Sequence, residues 1–220
     1  MEYPLRLEEL VTYTNCPLNS DLIRRFLFDQ LHPNAPLSGD EVNINLCPIF
    51  NSNIHVFHSA LATFYAPSDH SGIGGMHRQR IRATPLWRKS HGGRYDCMFL
   101  EKDPTLTGFR GLHVVQVCLF FSFKHNQTRF PCALVQWFTP VGDEPCEVTG
   151  MWMVEPDFDH RGQRVTAIVH LDTAVRGAHL LPIYGPTFIP PDLHFSETLR
   201  AFRGYYVNKY ADHHMHQISF

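Results

Sequence analysis

Basic and aromatic side chains that could hold a nucleic-acid strand lie close together in one stretch of the chain. Residues 71–94 contain six basic side chains and no acidic one, whereas the whole chain carries a formal net charge of −2. Guanidinium groups bind phosphate oxygens, and an aromatic ring can stack on an unpaired base. We therefore predict that Trp87 stacks on a base and that phosphate is contacted by Arg78, Arg80, Arg82, Arg88 and Lys89. The alternative is a solvated basic loop, or one that pairs with the acidic stretch 141–159.

Aromatic residues suggest a second kind of site. A cage of aromatic rings binds a methylated ammonium ion through cation–π attraction. The candidates for such ligand contact are Trp137, Trp152 and Tyr184, with Phe138 close in sequence. Because aromatic residues in strands usually belong to the core, burial of these rings is the competing interpretation.

The C-terminal segment holds histidines next to a carboxylate, which are typical ligands of zinc. The metal-ligand candidates are Asp212, His213, His214 and His216. No CxxC or HxxxH pair accompanies them, and the other carboxylates form no recognisable two-metal nuclease set. We therefore expect a non-catalytic protein without metal or cofactor. A metal-dependent hydrolase or nuclease that uses this histidine cluster is the alternative.

The composition predicts a globular protein that is neither secreted nor embedded in a membrane. Apolar residues make up 44% of the 220 residues, enough to build a core. The first residues are charged where a signal peptide would be apolar, and no stretch approaches the roughly 18 apolar residues of a membrane span. The six cysteines are widely spaced, and in an intracellular protein we expect them to be reduced.

The elements that must position these candidates are mostly strands. Two apolar runs, 112–123 and 129–138, flank the polar turn 124–128 and predict a long hairpin. Further strands are predicted at 95–100, 151–154 and 164–171. Both faces of the hairpin are apolar and both must be covered, which favours a small barrel over an open sheet with one wet face.

The predicted fold class is mainly β with flanking helices (α+β). Residues 1–65 are expected to form a mostly helical appendage, in which Ser20 caps a helix and residues 54–65 are ambiguous between strand and helix. A basic loop rich in Gly, Pro and His follows at 66–94, and the barrel occupies 95–190. Residues 191–220 form a docking helix over 196–210 and a His-rich tail.

Several motifs resemble a known family of mobile elements. The stretches APSDHSGIGGMHRQRIRATP at 66–85 and YYVNKYADHH at 205–214 resemble the C-terminal region of proteins encoded by Plavaka-type DNA transposons of basidiomycete fungi, within the CACTA-like group. FPCALVQWF at 130–138, TGMWMV at 149–154 and HLDTAVRGAHL at 170–180 look like the same family. The resemblance implies a nuclear, transposable-element-derived chain whose nuclease carboxylates lie upstream, with the rest of a transposase as a partner.

The strand order from the hairpin through 150–156 to 168–171 is also similar to that of bromo-adjacent homology (BAH) domains, the small β-barrels of chromatin proteins. This resemblance implies contact with a nucleosome or a histone tail, and no functional residue is carried over from it. We therefore expect a non-catalytic module that binds DNA or chromatin. Besides the hydrolase, the remaining alternative is an orphan structural fragment of a transposase.

Overall fold

A long antiparallel hairpin lies at the centre of the computed structural model, which describes residues 7–14, 18–67, 72–87, 92–186, 188–189 and 191–219. Its strands are β6 (Leu112–His125) and β7 (Thr128–Pro140). The chain reverses at Asn126 and Gln127, whose φ angles are 47° and 66°. Two consecutive positive φ angles in a two-residue loop are the geometry of a type I′ turn, which matches the twist of the flanking strands. The predicted hairpin is confirmed, and its turn is shorter than the predicted 124–128 because His125 and Thr128 still pair.

Shorter elements surround this hairpin. The other strands are β1 (His55–Phe57), β2 (Ser59–Tyr65), β3 (Met76–Thr84), β4 (Arg94–Tyr95), β5 (Cys97–Glu101), β8 (Met153–Pro156), β9 (Thr166–His170), β10 (Ala174–Ala178), β11 (Leu180–Pro182) and β12 (Tyr205–Val207). The α-helices are α1 (Leu7–Thr14), α2 (Ser20–Leu31), α3 (Thr198–Ala201) and α4 (His213–Ile218). Short 3-10 turns occupy Ile44–Leu46, Gly108–Gly111, Leu171–Thr173 and Phe195–Glu197.

Among the described residues, nine strands form one sheet, in the order β10-β5-β6-β7-β8-β12-β11, with β1 added to β6 and β9 added to β7. The two end strands, β10 and β11, are separated in sequence by His179 alone, so the sheet curls into a nearly closed barrel. Residues 119–123 of β6 are all buried, which requires cover on both faces because neighbouring side chains of a strand point to opposite sides. The predicted mainly-β, barrel-like α+β fold is confirmed.

Helix α2 covers one end of the hairpin. Its buried residues Ile23, Phe26 and Leu27 pack in one cluster with Phe123 and Phe130 of the hairpin. The helix begins one residue earlier than the predicted cap implies. Asn19, rather than Ser20, accepts the capping hydrogen bond, from the Leu22 N–H to Oδ1 at 2.9 Å.

The prediction of a basic loop over residues 66–94 is wrong. Much of it is strand β3, which pairs along its length with β2 and then with β4. Ile81 and Ala83 are buried at 2% exposure, whereas the arginines between them and before them lie on the other face. Apolar and charged residues alternate along this strand. The charged residues of the exposed face are what suggested a loop. Residues 55–65 are likewise strands, so the helical part of the predicted appendage ends before them.

The prediction of a helix over 196–210 is also wrong. The helix α3 ends at Ala201, and residues 205–207 form β12 between β8 and β11. Tyr205 and Val207 are almost fully buried there, at 0% and 1% exposure. Strand pairing with two neighbours therefore outweighs the helical spacing of the aromatic residues, because propensity is a weak local preference. The short helix α4 lies instead within the predicted His-rich tail.

No helix among the described residues is long and apolar enough to cross a membrane. The five cysteines that the structure describes form no disulfide with one another.

The turn at Asn126–Gln127 gives a test of the hairpin. Gln127→Gly should raise the free energy of unfolding by up to about 1 kcal/mol, because glycine removes the strain of a side chain at positive φ. Urea unfolding measures the change. Thr128→Gly, one residue further and inside β7, should instead lower stability. A loss of stability in Gln127→Gly would contradict the type I′ geometry.

Candidate nucleic-acid interface

Three arginines form one side of strand β3. Arg78, Arg80 and Arg82 are spaced two residues apart, so their side chains lie on the same face, about 7 Å from one to the next. We call this surface the arginine face. Arg78 and Arg80 are exposed and Arg82 is half-buried. Their neighbours across the hairpin on β2 are all uncharged: Thr63, Leu61 and Ser59.

Within the described part of the chain, no carboxylate forms an ion pair with the arginine face. Arg80 instead donates a hydrogen bond to Ser59 Oγ at 2.9 Å. The acidic stretch 141–159, which the sequence offered as a partner, forms its ion pair elsewhere, between Glu144 and Arg110 at 2.7 Å. Carboxylates of the described residues therefore leave the positive charge of this face without a counter-charge.

The ring of Trp87 contacts two arginines. The guanidinium carbons of Arg82 and Arg94 each lie 4.9 Å from the centroid of its ring. Asp96 fixes both arginines, since its carboxylate accepts from Arg94 Nε at 2.7 Å and from the Arg82 backbone N–H at 2.9 Å. These cation–π contacts are an additional role of the ring, and base stacking by Trp87 stays a prediction. Arg94 is a member of this site that the sequence prediction omitted.

The predicted site is only partly within the described residues. Arg78, Arg80, Arg82 and Trp87 are brought together, whereas Arg88 and Lys89 lie outside the described residues. Between Arg80, Arg82 and Trp87 the surface has a shallow depression of about 390 Å³.

The three rings proposed for an ammonium cage are not brought together. Trp152 is 5% exposed and stacks on Phe109 at 4.9 Å in one core cluster. Trp137 packs against a different cluster and meets His113 edge-to-face at 5.1 Å. Tyr184 is 61% exposed and meets the ring of Phe202 rather than either tryptophan. Both tryptophans therefore serve the core, as the competing interpretation holds.

The histidine cluster has a structural arrangement. Asp212 caps α4 by accepting from the Met215 N–H at 2.7 Å, and it also binds Arg176 through both oxygens, at 2.6 and 2.9 Å. His213 and His216 are exposed, while His214 is half-buried. Among the described residues, no three His, Cys, Asp or Glu side chains converge as a metal-binding group.

Arg176 joins three elements at this point. Its side chain is 3% exposed, its guanidinium carbon lies 4.4 Å from the centroid of the Phe64 ring, and it donates to His214 Nδ1 at 3.1 Å. Burial and the Arg176 charge lower the pKa of His214, so the ring is neutral and accepts this bond. Burial alone would raise the pKa of Asp212, but hydrogen bonds from Arg176 and Met215 outweigh it and hold the pKa below its usual value.

Cys146 is a titratable group that the sequence prediction passed over among ordinary reduced thiols. Hydrogen bonds from the hydroxyl and N–H of Thr149 and from the Val148 N–H lower the pKa of this thiol to about 7. The Tyr206 hydroxyl also lies 3.9 Å from Sγ. By contrast, burial raises the pKa of the Cys97 and Cys132 thiols. The Cys-x-x-Thr spacing in a turn was the sequence signal for this difference.

No family model matches the chain, and neither does any curated protein or solved structure with which it was compared.

The ion pair between Arg176 and Asp212 gives a stability prediction. Asp212→Asn keeps a capping side chain but leaves the buried guanidinium without its counter-charge. It should lower the free energy of unfolding by about 2 kcal/mol at neutral pH, less than for a fully buried pair because the Asp212 side chain is 40% exposed. The double variant with Arg176→Met should lose less than the sum of the single changes. Urea unfolding of all four proteins measures this coupling. Asp172→Asn, at an exposed carboxylate, is the control and should change stability by less than about 0.5 kcal/mol.

The thiol of Cys146 gives a reactivity prediction. The rate of alkylation by iodoacetamide should rise with pH, with a midpoint near the Cys146 pKa of about 7, because the thiolate is the nucleophile. Thr149→Val removes the hydroxyl bond and should move the midpoint upward, whereas Thr149→Ser keeps the hydroxyl and should not. Cys146→Ser reports the background from other thiols. An unchanged midpoint in Thr149→Val would show that this hydroxyl does not stabilise the thiolate.

Proposed function

We propose that this chain is a non-catalytic module that contacts the phosphate backbone of nucleic acid through the arginine face. The observation that carries the proposal is the set of three arginines on one face of β3, with no carboxylate paired to them among the described residues. Arginine suits this task because its planar donors match the geometry of phosphate oxygens.

The charge distribution supports local rather than general attraction. The whole chain has a net charge of −2, so a polyanion gains nothing from most of its surface. Binding through a few guanidinium groups releases counterions from the nucleic acid and weakens with added salt. Phosphate contacts fix position and carry no sequence information by themselves. We therefore expect modest affinity and little base preference from this face alone.

The scaffold supports the proposal because it holds β3 firmly against the barrel-like sheet. The Gly177 N–H on β10 donates to Gln79 Oε1 on β3 at 3.0 Å, and Phe64 on β2 lies against the buried Arg176. The face is thus presented by a strand and not by a loose loop. The strand orders the backbone of these arginines, so only their side chains lose freedom when they bind phosphate.

We further propose the setting that the motif resemblances suggest. The chain would belong to a Plavaka-type transposable-element protein and act in the nucleus, on DNA alone or in a nucleosome. The barrel-like sheet is compatible with a BAH-like chromatin module. The rest of a transposase would then supply any catalysis.

Charge reversal on the arginine face tests the proposal. Arg78→Glu with Arg80→Glu should lower the affinity for duplex DNA and reduce the slope of log K against log salt by about 0.9 for each phosphate that the variant no longer neutralises. Fluorescence anisotropy across a salt titration measures both quantities. The matched control is Lys124→Glu with Arg161→Glu, which changes the same charge at two exposed sites away from β3.

The control variant should bind as the wild-type protein does. Equal losses of affinity in the two double variants would mean that net charge, and not the arginine face, governs binding. Absence of binding by the wild-type protein at low salt would reject the proposed function. Unfolding curves of both variants establish that each remains folded.

A further inference from the structure

A cleft of about 780 Å³ opens beside the arginine face. Its walls come from β3, from the β4–β5 segment and from β10 and β11, and α4 contributes Met215. Arg80 and Arg82 line both this cleft and the shallow depression that contains Trp87. A ligand that lies along the arginine face therefore passes the mouth of the cleft. The volume is within the range of roughly 300 to 1,000 Å³ that small-ligand sites occupy.

Positive charge is in excess in the cleft. Four arginines line it, namely Arg80, Arg82, Arg94 and Arg176, against the two carboxylates Asp96 and Asp212. Each carboxylate is already committed to an arginine, at 2.7 Å for Asp96 with Arg94 and 2.6 Å for Asp212 with Arg176. The charge that remains belongs to Arg80 and Arg82, at the rim shared with the arginine face. An anionic group is therefore favoured at that rim.

The edge of β3 gives the cleft polar backbone groups. In the part of the chain that the structure describes, β3 pairs with β4 only through Ala83 and Thr84. The backbone N–H and C=O of Arg82 point to the β4 side of β3. The N–H donates to Asp96 Oδ2 at 2.9 Å, and the C=O accepts from the Asp96 N–H at 2.8 Å. Because backbone direction alternates along a paired strand, the N–H and C=O of Arg80 face the same side. These groups can pair with the hydrogen-bonding edge of a base.

Tyr184 supplies an aromatic surface at the cleft. It lines the cleft and is 61% exposed. Phe202 meets its ring edge-to-face, with centroids 5.3 Å apart, and so supports the tyrosine. A ring held by its neighbour and open to solvent is suited to stacking on a base.

We propose that the cleft takes one unpaired nucleotide, with its phosphate at Arg80 and Arg82 and its base against Tyr184. A base inside a duplex is paired and stacked, and it must leave the helix before it can enter such a cleft. The module therefore prefers single-stranded to double-stranded nucleic acid. This inference rests on the proposed function and names the substrate class for it.

The test compares three labelled probes by fluorescence anisotropy at one salt concentration. These are a short single strand of mixed sequence, an abasic strand of the same length, and the corresponding duplex. The mixed-sequence strand should bind about tenfold more tightly than the abasic strand, the gain expected from stacking one base. It should also bind more tightly than the duplex, which cannot supply an unpaired base.

Variants of tyrosine locate the effect in the cleft. Tyr184→Ala should reduce binding of the mixed-sequence strand to the level of the abasic strand and leave abasic binding unchanged, whereas Tyr184→Phe should keep the preference. Tyr210→Ala is the matched control, because Tyr210 is equally exposed at 63% but does not line the cleft. Its affinity for every probe should equal that of the wild-type protein.

The outcomes separate the two proposals. Equal affinity for the mixed-sequence and abasic strands would overturn the cleft and leave phosphate binding by the arginine face intact. Equal losses of affinity for both strands in Tyr184→Ala would overturn it as well. A wild-type protein that binds none of the probes would overturn the proposed function, and the cleft inference with it.

Discussion

Burial of the β6–β7 hairpin on both faces is the constraint on which the other elements depend. Five consecutive residues of β6, 119–123, are inaccessible to solvent, and alternation along a strand sends them to opposite sides. One end of the hairpin is covered by α2, and the other surfaces are covered by the short strands and loops of the curled sheet. Covering both faces requires the sheet to curl around the hairpin. The two end strands of that sheet, β10 and β11, follow each other in the chain with His179 between them.

The wrapping also fixes the β2–β3 hairpin against the sheet. β10 reaches this hairpin through the Gly177–Gln79 hydrogen bond and through Arg176, which lies against Phe64 while it binds Asp212 of the C-terminal segment. A buried guanidinium needs its counter-charge, so Asp212 both caps α4 and compensates Arg176. The histidine cluster that suggested a metal site is thereby explained in part as packing, with His214 held neutral between Arg176 and Phe64.

The separation of charge into paired and unpaired arginines gives the surface its proposed role. Two arginines of the cleft each have an aspartate partner, which is Asp212 for the buried Arg176 and Asp96 for the half-buried Arg94. Where the arginines are exposed on β3, the opposite strand presents only neutral side chains. Trp87 contributes by holding Arg82 beside Arg94 through its ring.

Elements with local signals could be predicted from the sequence. The β6–β7 hairpin, its turn and α2 were predictable because apolar periodicity and turn residues act within a few positions. The grouping of Arg78, Arg80 and Arg82 was also visible, although not that a strand aligns them. Local signals do not predict the strand at 205–207, the separate core clusters of the two tryptophans, or the ion pair between Arg176 and Asp212. Such contacts join residues far apart in the chain, and their free energy comes from burial and pairing that exist only once the sheet has closed.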